Sequence, residues 1–137
     1  MKTSNLVNAY VLPNLFYELM FLEGHGINSK EQDWNDQKCI DKIIQEVVVP
    51  RFSAFTAETK EVVRNTLRYL LATQKDSSEM WDIIWQASSA PIPTPHGIRS
   101  FIQRCYEIIF GGEFFPRAEE LQGYHVNHEM QLANRLN

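Results

Sequence analysis

His125, His128 and Glu129 stand close together near the end of the chain. If that stretch is helical, all three face one side, and two imidazoles with a carboxylate could hold Zn²⁺ or iron. The spacing is not His-Glu-x-x-His. Nor is it the Glu-x-x-His unit of di-iron bundles, because Gln122 stands where the glutamate would be needed for His125. A further ligand would have to come from elsewhere, for example His25 or Glu18. A solvated polar face near a chain end is the simpler reading, so no resident metal and no cofactor is expected.

Thr94, His96, Gly97 and Arg99 surround an expected helix start at Thr94-Pro95. Free backbone N–H groups there attract anions, Gly97 permits close approach, and His96 and Arg99 could add donors. Plain capping explains the same residues. Pro91-Ile92-Pro93 before them adds stiffness and no chemistry.

Lys60, Arg64 and Arg68 stand four apart, with Lys75 following on the same side. Such a row suits nucleic-acid phosphates. Yet Glu58 and Glu61 are adjacent, and long basic side chains commonly cover the rim of a core. A helix-turn-helix built here would present Glu79, Trp81, Asp82 and Trp85 to a polyanion, a poor reading surface.

Asp76, Glu79 and Asp82 recur every three residues, and carboxylates so spaced could act as acid and base or hold Mg²⁺. They also fall at a helix start, where each negative charge is stabilised by roughly 0.3–1 kcal/mol. His25, between two glycines, has no locatable catalytic partner. Cys39 and Cys105 lie far apart among apolar residues, which fits two buried free thiols in a reducing compartment better than a disulfide. The chain has no phosphate-binding glycine loop, no Gly-x-Ser-x-Gly and no Cys-x-x-Cys. Catalysis therefore has no constellation to stand on.

What remains is charge and aromatic surplus. Thirteen Lys and Arg oppose seventeen Asp and Glu, a net charge of −4. That argues against a general nucleic-acid coat, and more weakly against an anionic membrane surface. Between Glu18 and Glu46 the acids Glu18, Glu23, Glu31, Asp33, Asp36, Asp41 and Glu46 face only Lys30, Lys38 and Lys42. This excess gives one region a negative field. Trp34 stands amid Glu31, Asp33 and Asp36. Phe52, Phe55, Phe114 and Phe115 add aromatics beside breaks in the chain, and exposed aromatics near acids are what interface centres use. The expected partner surface is thus Glu31, Asp33, Trp34, Asp36 and Asp41.

These residues must be held by elements. At 137 residues and 44% hydrophobic, the chain predicts one globular domain over 1–137, large enough to fold without disulfide or metal. Leu12, Leu15, Phe16, Leu19 and Met20 predict a helix with Pro13 in its first turn and Gly24 as its stop. Tyr17, Phe21 and Leu22 fill its other face, so it should be central and buried nearly all round. A second helix is expected from about Asp36 to Val49, capped by Asp33, Asn35 and Asp36 and ended by Pro50. A third starts after Thr56, with Val63, Leu67, Leu70 and Leu71 as its stripe. After a polar break from Thr73 to Ser78, a fourth holds Met80, Trp81, Ile84 and Trp85. A fifth, from Thr94-Pro95 to Gly111-Gly112, carries Ile98, Phe101, Ile102, Cys105, Ile108 and Ile109. Arg117 to Leu136 predicts one or two short helices. No sustained strand alternation is present. The expectation is all-α: five to six short helices in an orthogonal or irregular bundle.

With no leader-like or membrane-spanning apolar run, a cytoplasmic protein is expected. The function that fits is docking: a small acidic module steered onto a basic protein partner. An immunity or antitoxin protein that neutralises a basic nuclease would have this profile. Metal binding or catalysis through His125, His128 and Glu129, and nucleic-acid regulation through Lys60, Arg64 and Arg68, are the competing expectations. A homodimer through exposed aromatics is compatible with all three.

Overall fold

A computed structural model describes residues 4–111 and 115–136. Gly112 and Phe114, expected at a helix stop and among the surface aromatics, lie outside the described residues. The chain is 64% helical, so the all-α expectation holds. Its elements are β1 (Leu6–Val7), α1 (Val11–Leu15), α2 (Gln37–Ile43), α3 (Val49–Ser53), α4 (Ala57–Thr73), α5 (Glu79–Ser88), α6 (Ile98–Phe110), α7 (Ala118–Leu121), β2 (His125–Val126) and α8 (Met130–Asn134).

The first predicted helix is broken. After α1 the chain tightens into a 3₁₀ stretch, Tyr17–His25, that kinks at Phe21 (φ −119°, ψ 39°) and ends at Gly26 in the left-handed region (φ 77°). The stop is therefore Gly26, not Gly24. Three residues per turn stack i, i+3 and i+6 on one face. Phe16, Leu19 and Leu22 obey that spacing and are buried, whereas Tyr17 and Phe21 are each 45% exposed. The segment is therefore not buried all round: only the Phe16-Leu19-Leu22 line packs inward, and Tyr17 and Phe21 turn to solvent.

Asp36 caps α2 by accepting the Lys38 N–H at 3.0 Å. The helix does not end at Pro50. It widens into one π turn, Ile44–Val48, where the Val49 N–H reaches back to the Ile44 carbonyl, and runs on as α3. Proline lacks an N–H, and its ring crowds the carbonyl four residues back. The wider turn absorbs both effects and sets Pro50 within the first turn of the next segment, where proline is tolerated.

Thr56 caps α4 by accepting the Thr59 N–H at 3.2 Å. The stripe of α4 is buried as expected, and Val62 and Thr66 join it. Ser78 caps α5. The helix α6 starts at Ile98, later than Thr94-Pro95 suggests. Thr94 to Gly97 instead form a turn closed by the Gly97 N–H on the Thr94 carbonyl at 2.9 Å. Gly97 is the N-cap, at φ 95°, a conformation that L side chains rarely adopt. At the far end, Gly111 stops α6 in the left-handed region.

Beyond α7 the chain is not helical at His125. There β2 pairs in parallel with β1, Leu6 opposite His125 and Val7 opposite Val126. Two residues per strand are too few for an alternation pattern to reveal. On its other side β1 lies against α4. One hydrophobic core joins α1, the 3₁₀ stretch, the π turn, α4, α5 and α6, with Trp81, Tyr106, Phe16, Leu67 and Leu70 among its largest buried members. Among the described residues no helix is long and apolar enough to cross a membrane.

Candidate functional site

The acidic segment leading into α2 is a loop tied down by its own hydrogen bonds. Asn28 accepts the Lys30 N–H at 3.0 Å, and the Gln32 side-chain amide donates to the Asn28 carbonyl at 3.0 Å. The indole N–H of Trp34 donates to the Ser29 carbonyl at 3.2 Å. Asp33 Oδ1 accepts the Asn35 N–H at 3.1 Å, while Asp36 Oδ1 caps α2. Asx-type bonds like these hold a loop in one conformation without core packing. Glu31, Asp33 and Asp36 are exposed, and Trp34 is half-buried against the core.

Asp41 does not belong to that exposed set. Its two carboxylate oxygens accept Nε and Nη2 of Arg104 at 2.8 and 2.7 Å, and Oδ1 also accepts the Gln37 amide at 2.8 Å. The Arg104 guanidinium, helped by Gln37, holds the Asp41 carboxyl below its usual range against the opposing effect of burial. Arg104 turns Nη1 to Glu107 at 2.9 Å. The fork clamps α2 to α6, so Asp41 is a structural group, 63 residues from a partner that spacing alone could not identify.

The cleft beside the loop joins two groups of residues that the sequence keeps apart. Trp34 and Ile40 on one side meet Pro93, Phe101 and the Thr94–Gly97 turn on the other. A polar groove continues past His96, Ser100, Gln103 and Glu107. Thr94, His96 and Gly97 are therefore placed at the rim that Trp34 shares. Arg99 is not offered to an anion. Its Nε and Nη2 donate to the Gln74 and Leu71 carbonyls at 3.1 and 2.7 Å, and its Nη1 donates to Gln103 at 2.9 Å. It thus satisfies the open C-terminal end of α4, which removes the main cation from the expected anion set.

The other candidates disperse. His125 is exposed on β2. His128 accepts the Ala9 N–H at Nδ1 at 2.9 Å, and the backbone carbonyl of Glu129 accepts the Asn8 side-chain amide at 2.9 Å. The one-sided helical triad expected of these three does not form, because the segment is extended there. Among the described residues no group of three or more His, Cys, Asp or Glu side chains is disposed to hold a metal ion. His25 and Glu18 meet each other at 3.4 Å. In the basic row, Lys60 lies 5.9 Å from the Phe52 ring and Arg68 pairs with Glu120 at 3.6 Å. Both contacts fit cations covering the rim of the core.

Sequence reasoning missed Arg51, whose guanidinium sits 5.5 Å from the Tyr17 ring and 5.3 Å from that of Phe55, and which donates to the Asn14 carbonyl. No local spacing signals that stack. Cys105 is fully buried, and desolvation pushes its thiol far up. Cys39 is half-buried, with its Sγ 3.0 Å from Gln32 Oε1. Titration of the native protein with a disulfide reagent should therefore modify Cys39 alone. Cys105 should react only after denaturant is added, and a fast native reaction at Cys105 would contradict its burial. No family model matches the chain, nor does any curated protein or any solved structure.

Proposed function

We propose that this chain is a binding module for a basic protein partner, which it engages through the Asn28–Asp36 loop and the adjoining cleft. The reading rests on one observation: Glu31, Asp33 and Asp36 are exposed on a loop already fixed around Trp34 by internal hydrogen bonds. A loop ordered beforehand loses little entropy on docking. Its carboxylates steer a basic surface to the site, and the half-buried indole at the cleft supplies an apolar anchor once water is displaced. The finer reading is an inhibitor that works by covering its target, as an immunity or antitoxin protein covers a basic nuclease, within the cytoplasm.

The test uses Glu31→Lys/Asp33→Asn/Asp36→Asn. Asparagine keeps the Oδ1 that accepts the Asn35 or Lys38 N–H, so the α2 cap and the loop survive while the local charge rises by four units. Wild type and variant are each used for capture from the native host at low and high salt. A basic protein held stoichiometrically by wild type and lost with the variant or with salt supports the proposal. An identical catch on both sinks it, as does recovery of DNA or RNA in place of protein.

A further inference from the structure

The C-terminal segment is held on the N-terminal strand by a small set of contacts, and one of them titrates. The His125 and Asn127 N–H groups donate to the Asn5 and Val7 carbonyls at 2.7 and 2.8 Å. The Asn8 side-chain amide donates to the Glu129 carbonyl at 2.9 Å, and the Ala9 N–H donates to Nδ1 of His128 at 2.9 Å. On the other side, Asn65 and Thr66 of α4 bind the backbone of Ser4, Leu6 and Asn8, so the strand itself is firmly seated. Docking of the segment also buries Ala133 and Leu136.

We propose that residues 125–136 form an acid-released clip: neutral His128 fastens them to the strand by accepting the Ala9 N–H, and protonated His128 lets them go. A ring nitrogen accepts a hydrogen bond only through its lone pair, so the bond requires an imidazole whose single proton is on Nε2. Adding a proton at Nδ1 sets N–H against N–H. The acceptor is then lost and the Ala9 donor is left without it.

Burial points the same way, because it disfavours the charged ring and lowers its pKa from the ordinary value of about 6.5. The titratable groups on the two segments joined at the ring are Tyr10 beside Ala9, and His125, Glu129 and Arg135 on its own segment. None of them contributes to the shift, whose cause is desolvation alone. With a folded pKa below the unfolded one, the clip is at full strength above about pH 6.5. It weakens as pH falls through that value toward the folded pKa. Residues 125–136 rest on a two-residue strand pairing, a few hydrogen bonds and two buried apolar side chains, far less than holds the core, so release precedes global unfolding.

Amide hydrogen exchange on the full chain tests this, with protection factors corrected for intrinsic rates at pH 7.5 and pH 5. The Ala9 and Asn127 amides are compared with that of Leu67 in α4. Wild type should lose roughly three- to tenfold protection at Ala9 and Asn127 at pH 5, while Leu67 holds. His128→Asn places a non-titrating oxygen where Nδ1 stood and should abolish the pH response. His128→Phe should be poorly protected at both pH values. Constant wild-type protection, or the same pH response in His128→Asn, overturns the proposal. If the phenylalanine variant does not fold, wild type against His128→Asn decides it.

Discussion

Asn8→Ala is expected to lower the unfolding free energy by about 2–4 kcal/mol, a large share of what a domain this size holds. Asn8 is completely buried, and every polar group it carries is paired. Its backbone N–H and carbonyl both meet the Thr66 hydroxyl, at 3.0 and 3.3 Å. Its Oδ1 accepts the Tyr10 N–H at 2.9 Å, and its Nδ2 donates to the Glu129 carbonyl at 2.9 Å. Alanine leaves the Tyr10 N–H and the Glu129 carbonyl without these partners and opens a cavity in a polar site, and the two costs add. Asn8→Asp keeps the acceptor but turns a carboxylate oxygen toward the Glu129 carbonyl, so at neutral pH it should be at least as damaging. Urea unfolding followed by circular dichroism checks both variants. Either one unfolding at the wild-type midpoint would show that the N- and C-terminal segments are not joined through Asn8.

Trp81→Ala should cost about 3–5 kcal/mol, the range for removing a fully packed aromatic. Trp81 is 2% exposed, and its indole N–H donates to the Lys75 carbonyl at 2.8 Å. It therefore fills the core from α5 and also fixes the polar break between α4 and α5. The two roles can be separated. Trp81→Phe keeps most of the apolar bulk and loses the hydrogen bond, and should cost about 1–2 kcal/mol plus whatever the smaller ring leaves unfilled. Guanidinium unfolding of both variants gives the two numbers. A phenylalanine variant as unstable as the alanine one would make the Lys75 bond, and not the packing, the dominant effect.

The parts of this fold that could be read from the sequence are those decided locally. In α4 and α6 the apolar residues keep a 3.6-residue period over three or more turns, and Thr56 stands at its cap. The errors fall where tertiary context overrides the local signal. Pro50 reads as a stop, yet a single π turn carries the helix past it. The period of three in Phe16, Leu19 and Leu22 also fits a helix of ordinary pitch, so only packing exposes Tyr17 and Phe21. Thr94-Pro95 has the chemistry of a helix start, but Gly97 takes that place because the chain must turn there first.

The candidate site divides the same way. Glu31, Asp33, Trp34 and Asp36 are neighbours in sequence and in space. Asp41 with Arg104, and His128 with Ala9, are pairs 63 and 119 residues apart, and no spacing rule reaches so far.

The acidic loop as a docking surface is tested most directly by the affinity of the captured partner, measured by titration calorimetry across a salt series. Wild type should bind more weakly as salt rises. Glu31→Lys/Asp33→Asn/Asp36→Asn should bind at least about tenfold more weakly at low salt, with the difference shrinking as salt screens the charges. Equal affinities for the two proteins at every salt concentration would contradict the proposed role of the loop.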